Sequence, residues 1–180
     1  MWEHRLIEEM IRLLNKEVDQ VISKGEVNLI LIDQAVDFFR IYSDRTHHGK
    51  EEEILFRDLA KKPLSSDHRR ILEELIEEHV HARNKVGRLI EAKKNYLAGT
   101  GDSGPITDCI KDLTAFYPPH IMKEDKQFFF PCLDYFSQVE QERMLQEFWE
   151  FDRQMIHEKY VKLVEEFLGQ KIIWPGIAKS

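Results

Sequence analysis

Two segments of the chain repeat a set of side chains that can ligate metal. One is His47-His48-Gly49-Lys50-Glu51-Glu52, followed by Ile54-Leu55-Phe56. The other is His120-Ile121-Met122-Lys123-Glu124-Asp125, followed by Phe128-Phe129-Phe130. Each reads His-x-x-Lys-Glu-acid and then an apolar run, and the two lie 73 residues apart. On an α-helix, a His and a Glu four apart differ by only ~40° around the axis and ~6 Å along it. Both can therefore address one point beside the helix. Imidazole plus carboxylate suits iron, manganese or zinc, and a carboxylate can bridge two metal ions.

Helices must position these groups, because helical periodicity dominates the chain and strand alternation is almost absent. The first helix is expected over residues 2 to 23, with the stripe His4, Ile7, Ile11, Leu14, Val18 and Val21, and Gly25 ends it. The second runs from about 27 to 60, with Ile32, Val36, Phe39, Ser43, His47, Glu51 and Ile54 on one face. Pro63 closes it, and Ser65-Ser66-Asp67 offers N-caps for a third helix, about 67 to 98, carrying Leu72, Leu75, His79, Ala82, Val86 and Leu89. The loop from Gly99 to Pro105 leads to a fourth, with Ile106, Ile110, Leu113, Tyr117, His120, Glu124 and Phe128 in register. Pro118 and Pro119 predict a kink or break just before His120, and Pro131 closes the segment. Ser137 with Glu140 is a capping box for a fifth helix, about 138 to 168, with the stripe Leu145, Phe148, Trp149, Met155, Ile156, Leu163 and Phe167. The expected fold is all-α: an up-down-up-down four-helix bundle over about 1 to 135, an additional C-terminal helix outside it or at one end, and a tail from 169 to 180. With 180 residues, one domain over 1 to 180 is expected.

Each of the four bundle helices thus places one His on its apolar stripe: His4, His47, His79 and His120. A lone His there is ordinarily a satisfied core residue, and for His4 by itself that reading suffices. Four imidazoles in phase with two carboxylates are different, because buried polar groups are costly without a partner. Metal supplies one. His48 lies ~100° from His47 on an α-helix, at the stripe's edge; it is an additional ligand, an outer contact or a surface residue. His157, among Trp149, Ile156 and Val161, reads as a core histidine and otherwise as a contact of the metal site. His81 and His68 read as surface residues. The clusters Glu51-Glu52-Glu53, Glu73-Glu74 and Glu77-Glu78 read as solvated faces, Glu51 excepted. The phenylalanine run and Phe116, Tyr117 and Tyr135 read as packing that keeps the centre dry.

Composition excludes several classes. A net charge of −7 argues against nucleic acid or anionic membrane as partner. Two cysteines, Cys109 and Cys132, make neither a disulfide framework nor a Cys-x-x-Cys site, and suit a reduced, cytoplasmic setting. The polar start, Met1-Trp2-Glu3-His4-Arg5, has no signal-peptide core, and no run approaches a membrane span.

With Glu3-His4-Arg5, His47 to Phe56, Glu78-His79 and His120 to Pro131 in order, the sequence resembles the hemerythrin-like, or HHE cation-binding, family over roughly residues 1 to 135. Ferritin-like di-iron proteins differ, since they use Glu-x-x-His with the carboxylate first. The resemblance implies two non-haem iron ions with an oxo or hydroxo bridge. Glu51 and Glu124 would be the bridging carboxylates, and His4, His47, His79 and His120 terminal ligands. Oxygen carriers of the family use five histidines, two of them four apart on the third helix. Here the position after His79 is Arg83 and the one before it is Leu75. That departure counts against reversible oxygen carriage. It leaves a protein that binds or reacts with oxygen, nitric oxide or peroxide, fed by an unidentified electron donor. The other reading is an iron-dependent sensor or interaction module without turnover. Iron comes from the resemblance; spacing alone also allows manganese or zinc.

Overall fold

A computed structural model describes residues 2–168 of the backbone and the side chains from Glu3 to Met155. Helix α1 (Trp2–Lys24) buries Ile7, Ile11, Leu14, Val18 and Val21 along one stripe. It stops at Gly25, whose φ of +75° is a conformation that a side chain would strain. Asn28 caps the next helix by accepting from the Leu31 N–H at 3.1 Å. Helix α2 (29–59) is continuous but irregular: its turns over Phe38–His48 and Glu51–Phe56 are π-helical. Helix α3 (Ser66–Leu97) starts at Ser65, whose hydroxyl accepts from the His68 N–H. Helix α4 (104–133) is α-helical from Gly104 to Lys123, π-helical over Glu124–Phe128, and α-helical again to Leu133. Helix α5 is Gln138–Leu168. Among the described residues there is no strand, so the structure is the all-α bundle of four helices plus a C-terminal helix.

The break expected before His120 is absent, because the helix runs through Pro118 and Pro119. Both prolines face outward, where the carbonyls they leave unpaired can be hydrated. The irregularity falls instead at Glu124. Nor does Pro131 end the segment at once; the helix continues to Leu133.

The core is two apolar clusters. One joins Ile7 to Val18 of α1, Ile32 to Phe39 of α2, Ala82 to Ala92 of α3 and Ile106 to Ile121 of α4. The other joins Ile54 to Leu59 of α2, Ile71 to Leu75 of α3, Phe128 and Cys132 at the end of α4, and Phe136 just beyond it. Helix α1 contributes to the first cluster and not to the second, and α5 supplies the missing wall with Met144, Phe151 and Met155. These residues, with half-buried Phe148, correct the stripe expected for this helix: Leu145 and Trp149 are exposed. Spacings of 4, 3 and 4 along 144, 148, 151 and 155 make an equally regular helical stripe, and only the place of α5 against α2 selects it. Ion pairs fix that place: Arg143 Nη2 to Asp58 Oδ2 at 2.9 Å and Arg57 Nη2 to Glu147 Oε2 at 2.8 Å. Ile156, His157, Leu163 and Phe167 lie outside the described side chains, and the tail from 169 lies outside the described residues.

Candidate metal centre

Between the two apolar clusters lies one polar layer. His4, His47, His48, Glu51, His79, His120 and Glu124 are all buried there. The six residues singled out by phase are therefore brought together, and His48 joins them. A π-helical turn closes its bonds from i to i+5, so each residue advances less than the ~100° of an α-helix. His47 and His48, adjacent in such a turn, both face inward.

The ligating atoms form two groups, His4-His47-Glu51-Glu124 and His48-His79-His120, and within each all lie within 4.8 Å of one another. The carboxylates connect the groups. Glu51 Oε1 lies 3.4 Å from His47 Nε2, and Oε2 lies 3.3 Å from His79 Nε2. Glu124 Oε2 lies 3.1 Å from His4 Nε2, while Oε1 lies 3.3 Å from His120 Nε2 and 3.6 Å from His79 Nε2. Each carboxylate thus presents one oxygen to each side. None of these four oxygens makes a hydrogen bond among the described residues, nor does His79 Nε2, His120 Nε2 or either nitrogen of His48. So many converging, fully buried polar atoms without hydrogen bonds are unstable unless something else satisfies them. Imidazole nitrogens and carboxylate oxygens fit a pair of transition-metal ions.

Outside this layer lies a circuit the sequence reading missed. Glu3 of α1 accepts from His47 Nδ1 of α2 at 3.0 Å. Glu52 of α2 accepts from His79 Nδ1 of α3 at 2.7 Å. Glu78 of α3 accepts from His120 Nδ1 of α4 at 2.8 Å. Asp125 of α4 accepts from His4 Nδ1 of α1 at 2.9 Å. Each acid adjoins a ligand in sequence but serves the histidine of the next helix. Each is held in turn by a cation: Glu3 by Lys50, Glu52 by Arg83 at 2.7 Å, Glu78 by Lys123 at 2.5 Å and Asp125 by Arg5 at 2.8 Å. Glu52 and Glu78 are therefore not members of solvated faces, as their runs suggest. The repeated motif carries a signal for Glu52 and Asp125, its final acids, and Glu3 and Glu78 each stand directly before a histidine of the layer. His48 alone lacks such a bond. Its Nδ1 stands 3.5 Å from Asp44 Oδ1, and its ring stacks on His79 at 3.9 Å.

A carboxylate on Nδ1–H fixes the tautomer and turns the Nε2 lone pair inward, as metal-binding histidines require. In the metal-free chain these charges also shift protons. Burial pushes His79 down, but the facing carboxylates of Glu124 and Glu51 and the bond to Glu52 outweigh it and carry its pKa up to about 11. His47 is raised against burial by Glu51 and Glu3. Burial and the neighbouring imidazolium charges hold His48 neutral, well below its ordinary value. Glu124 is held well below the carboxylate range despite burial, chiefly by the charge of His120 and by His4 and His79.

Aromatic rings cover the layer. Phe129 stacks on His4, Phe56 on His79 and Phe116 on His120, with centroids at 5.9, 5.6 and 5.3 Å. Phe130, by contrast, is exposed and keeps nothing dry. His81 is exposed as expected, while His68 is half-buried and bonds Tyr135 Oη at 2.9 Å. His157 lies outside the described side chains.

A helical bundle with a buried layer of histidines and two inward carboxylates defines a cation-binding protein. Residues 2–131 match the family described as Hemerythrin HHE cation binding domain. The chain belongs to that family. No curated protein and no solved structure matches it.

Proposed function

We propose that this chain is a non-haem di-iron protein that binds or reacts with oxygen, nitric oxide or peroxide. One observation carries the reading: Glu51 and Glu124 each present one oxygen to each of two histidine groups. Such carboxylates suit bridging of two ions. His4 and His47 would hold one ion, and His48, His79 and His120 the other. The iron pair supplies redox chemistry toward small oxidants, and this chain's residues do the rest. Two imidazoles on the His4 side against three on the other leave more room there for an incoming ligand. Phe129 over His4 and the apolar clusters on both sides exclude water and larger molecules. The four outer acids hold the imidazoles in one tautomer while charge changes between them. His48, standing on α2, takes the place of the third-helix histidine that Arg83 replaces, so five imidazoles are available.

The test begins with elemental analysis of protein purified without added metal, which decides among iron, manganese and zinc. An anaerobically reduced, iron-loaded sample should then consume oxygen, nitric oxide or peroxide and develop near-ultraviolet and visible absorption. Iron-loaded protein with neither spectrum nor turnover sinks the proposal. A second reading, an iron-dependent sensor module, has one observation in its favour. Lys50, beside Glu51, pairs both with Glu3 and with Asp152 of α5 at 2.8 Å, so the centre and the fifth helix share a cation. That reading predicts a large metal-linked rise in melting temperature with negligible redox chemistry. Among the described residues no helix is long and apolar enough to cross a membrane; a cytoplasmic setting is part of this proposal.

A further inference from the structure

One helical turn from the histidine layer, between α2, α3 and α4, lies a cavity of about 380 Å³. Phe39, Val86, Ile90 and the ring of Tyr117 make its apolar walls. Gly87 leaves one side open, because a Cβ built there meets nothing within 4 Å. The charged groups of the lining are Arg40, Asp44 and Arg83, two cations against one anion. A space of this volume takes a small organic molecule rather than a diatomic.

The geometry points to this cavity as a binding site for a small carboxylate with an apolar body, an aryl or short alkyl acid, its charge met by Arg40 and Arg83. Arg83 also connects the cavity to the metal centre. Its Nε donates to Asp44 Oδ1 at 2.7 Å and its Nη2 to Glu52 Oε1 at 2.7 Å. Those same two oxygens face the stacked pair of imidazoles: Asp44 Oδ1 at 3.5 Å from His48 Nδ1, and Glu52 Oε1 at 2.7 Å from His79 Nδ1. An anion in the cavity competes with both for the guanidinium. Asp44, released from Arg83, has His48 within reach as its next partner. Occupancy of the cavity thus changes how the three-histidine group is supported. This connection rests on the metal-centre reading; the affinity of the cavity for a carboxylate does not.

Benzoate and its neutral amide, benzamide, are titrated calorimetrically into the wild-type chain, Gly87→Leu and Arg40→Met. Benzoate should bind the wild type, benzamide about tenfold more weakly, and Arg40→Met should weaken benzoate about tenfold, the loss of one charge-assisted contact. Gly87→Leu should abolish binding. Equal binding of acid and amide, or equal binding to the wild type and Gly87→Leu, overturns the site. Where Gly87→Leu fails to fold, Arg40→Met and the amide decide it. In iron-loaded protein, benzoate should change the rate at which a chelator removes the metal in the wild type and leave Gly87→Leu unaffected. An unchanged rate with benzoate bound overturns the connection. A chain that binds benzoate but holds no metal removes the metal-centre reading and leaves the carboxylate site standing.

Discussion

Three consecutive glutamates at the head of the second π-helical stretch test the architecture of the centre. Glu51 is buried among the ligands, Glu52 holds His79 from outside, and Glu53 is exposed and pairs with Arg45 at 3.0 Å. Replacing each by Gln removes one charge and almost no volume. Glu52→Gln turns a charge-assisted bond of 2.7 Å to an imidazole into a neutral one. Bonds to charged groups contribute about 1.5–3 kcal/mol against ~1 for neutral ones, and Glu52 is partly exposed, so the lower part of that range applies. The difference, about 0.5–1 kcal/mol, corresponds to roughly 2- to 5-fold in metal affinity, below the ~10- to 100-fold seen when outer partners of metal ligands are lost outright. Glu51→Gln, which takes an oxygen from both sides, should abolish loading of the pair, and Glu53→Gln should change nothing. Affinity is read by competition with a chelator of known strength, with circular dichroism as the control for folding. If Glu52→Gln matches Glu53→Gln in affinity, the acids on the Nδ1 side are ornamental and the circuit does not support the centre.

Metal uptake should release at least one proton at neutral pH, because His79, carried up to about 11 in the metal-free chain, must lose its proton to ligate, and His47 is shifted in the same direction. Calorimetry in buffers of different ionisation enthalpy counts the protons released, and a buffer-independent heat contradicts the assignment. The metal-free chain should melt lower as pH rises above about 6.5, because the proton held by His79 up to about 11 stabilises the fold below the unfolded value and is lost on the way up. Metal, taking that proton's place, should flatten the decline. At the acid end, Glu3, lowered to about 2 against burial by His47 and Lys50, contributes stability above about 4.5 that disappears as pH falls toward 2. A melting temperature unchanged between pH 6 and 2.5 is the contrary result. Gly25→Ala should cost about 1 kcal/mol, since its φ is +75°, whereas Gly87→Ala, in open space within a helix, should add about 0.5–1 kcal/mol; chemical denaturation compares the two.

What was legible in the sequence was whatever depends on spacing along one regular helix. His4, His47, Glu51, His79, His120 and Glu124 are each in phase with an apolar stripe, and burying the stripes necessarily brings the six together. The helices themselves follow for the same reason, with ends marked by Gly25, Ser65 and Gly99. Arg83 was visible as a departure, but its role was not, since Asp44 and Glu52 meet it from another helix.

Only the tertiary structure decided the rest. His48 enters the centre because the turn that carries it is π-helical, and α-helical phase places it at an edge. Glu52 and Glu78 look like surface acids in their runs, because the histidine that each one holds is on a different helix. The stripe of α5 offered two regular solutions, and its place against α2 chose Met144, Phe151 and Met155. The sequence by itself determined which side chains are buried at one level of a bundle, because hydrophobic periodicity is a local property. How those side chains divide into two groups joined by two carboxylates, and which acid serves which imidazole, depends on contacts between helices, and those exist only when the bundle is assembled.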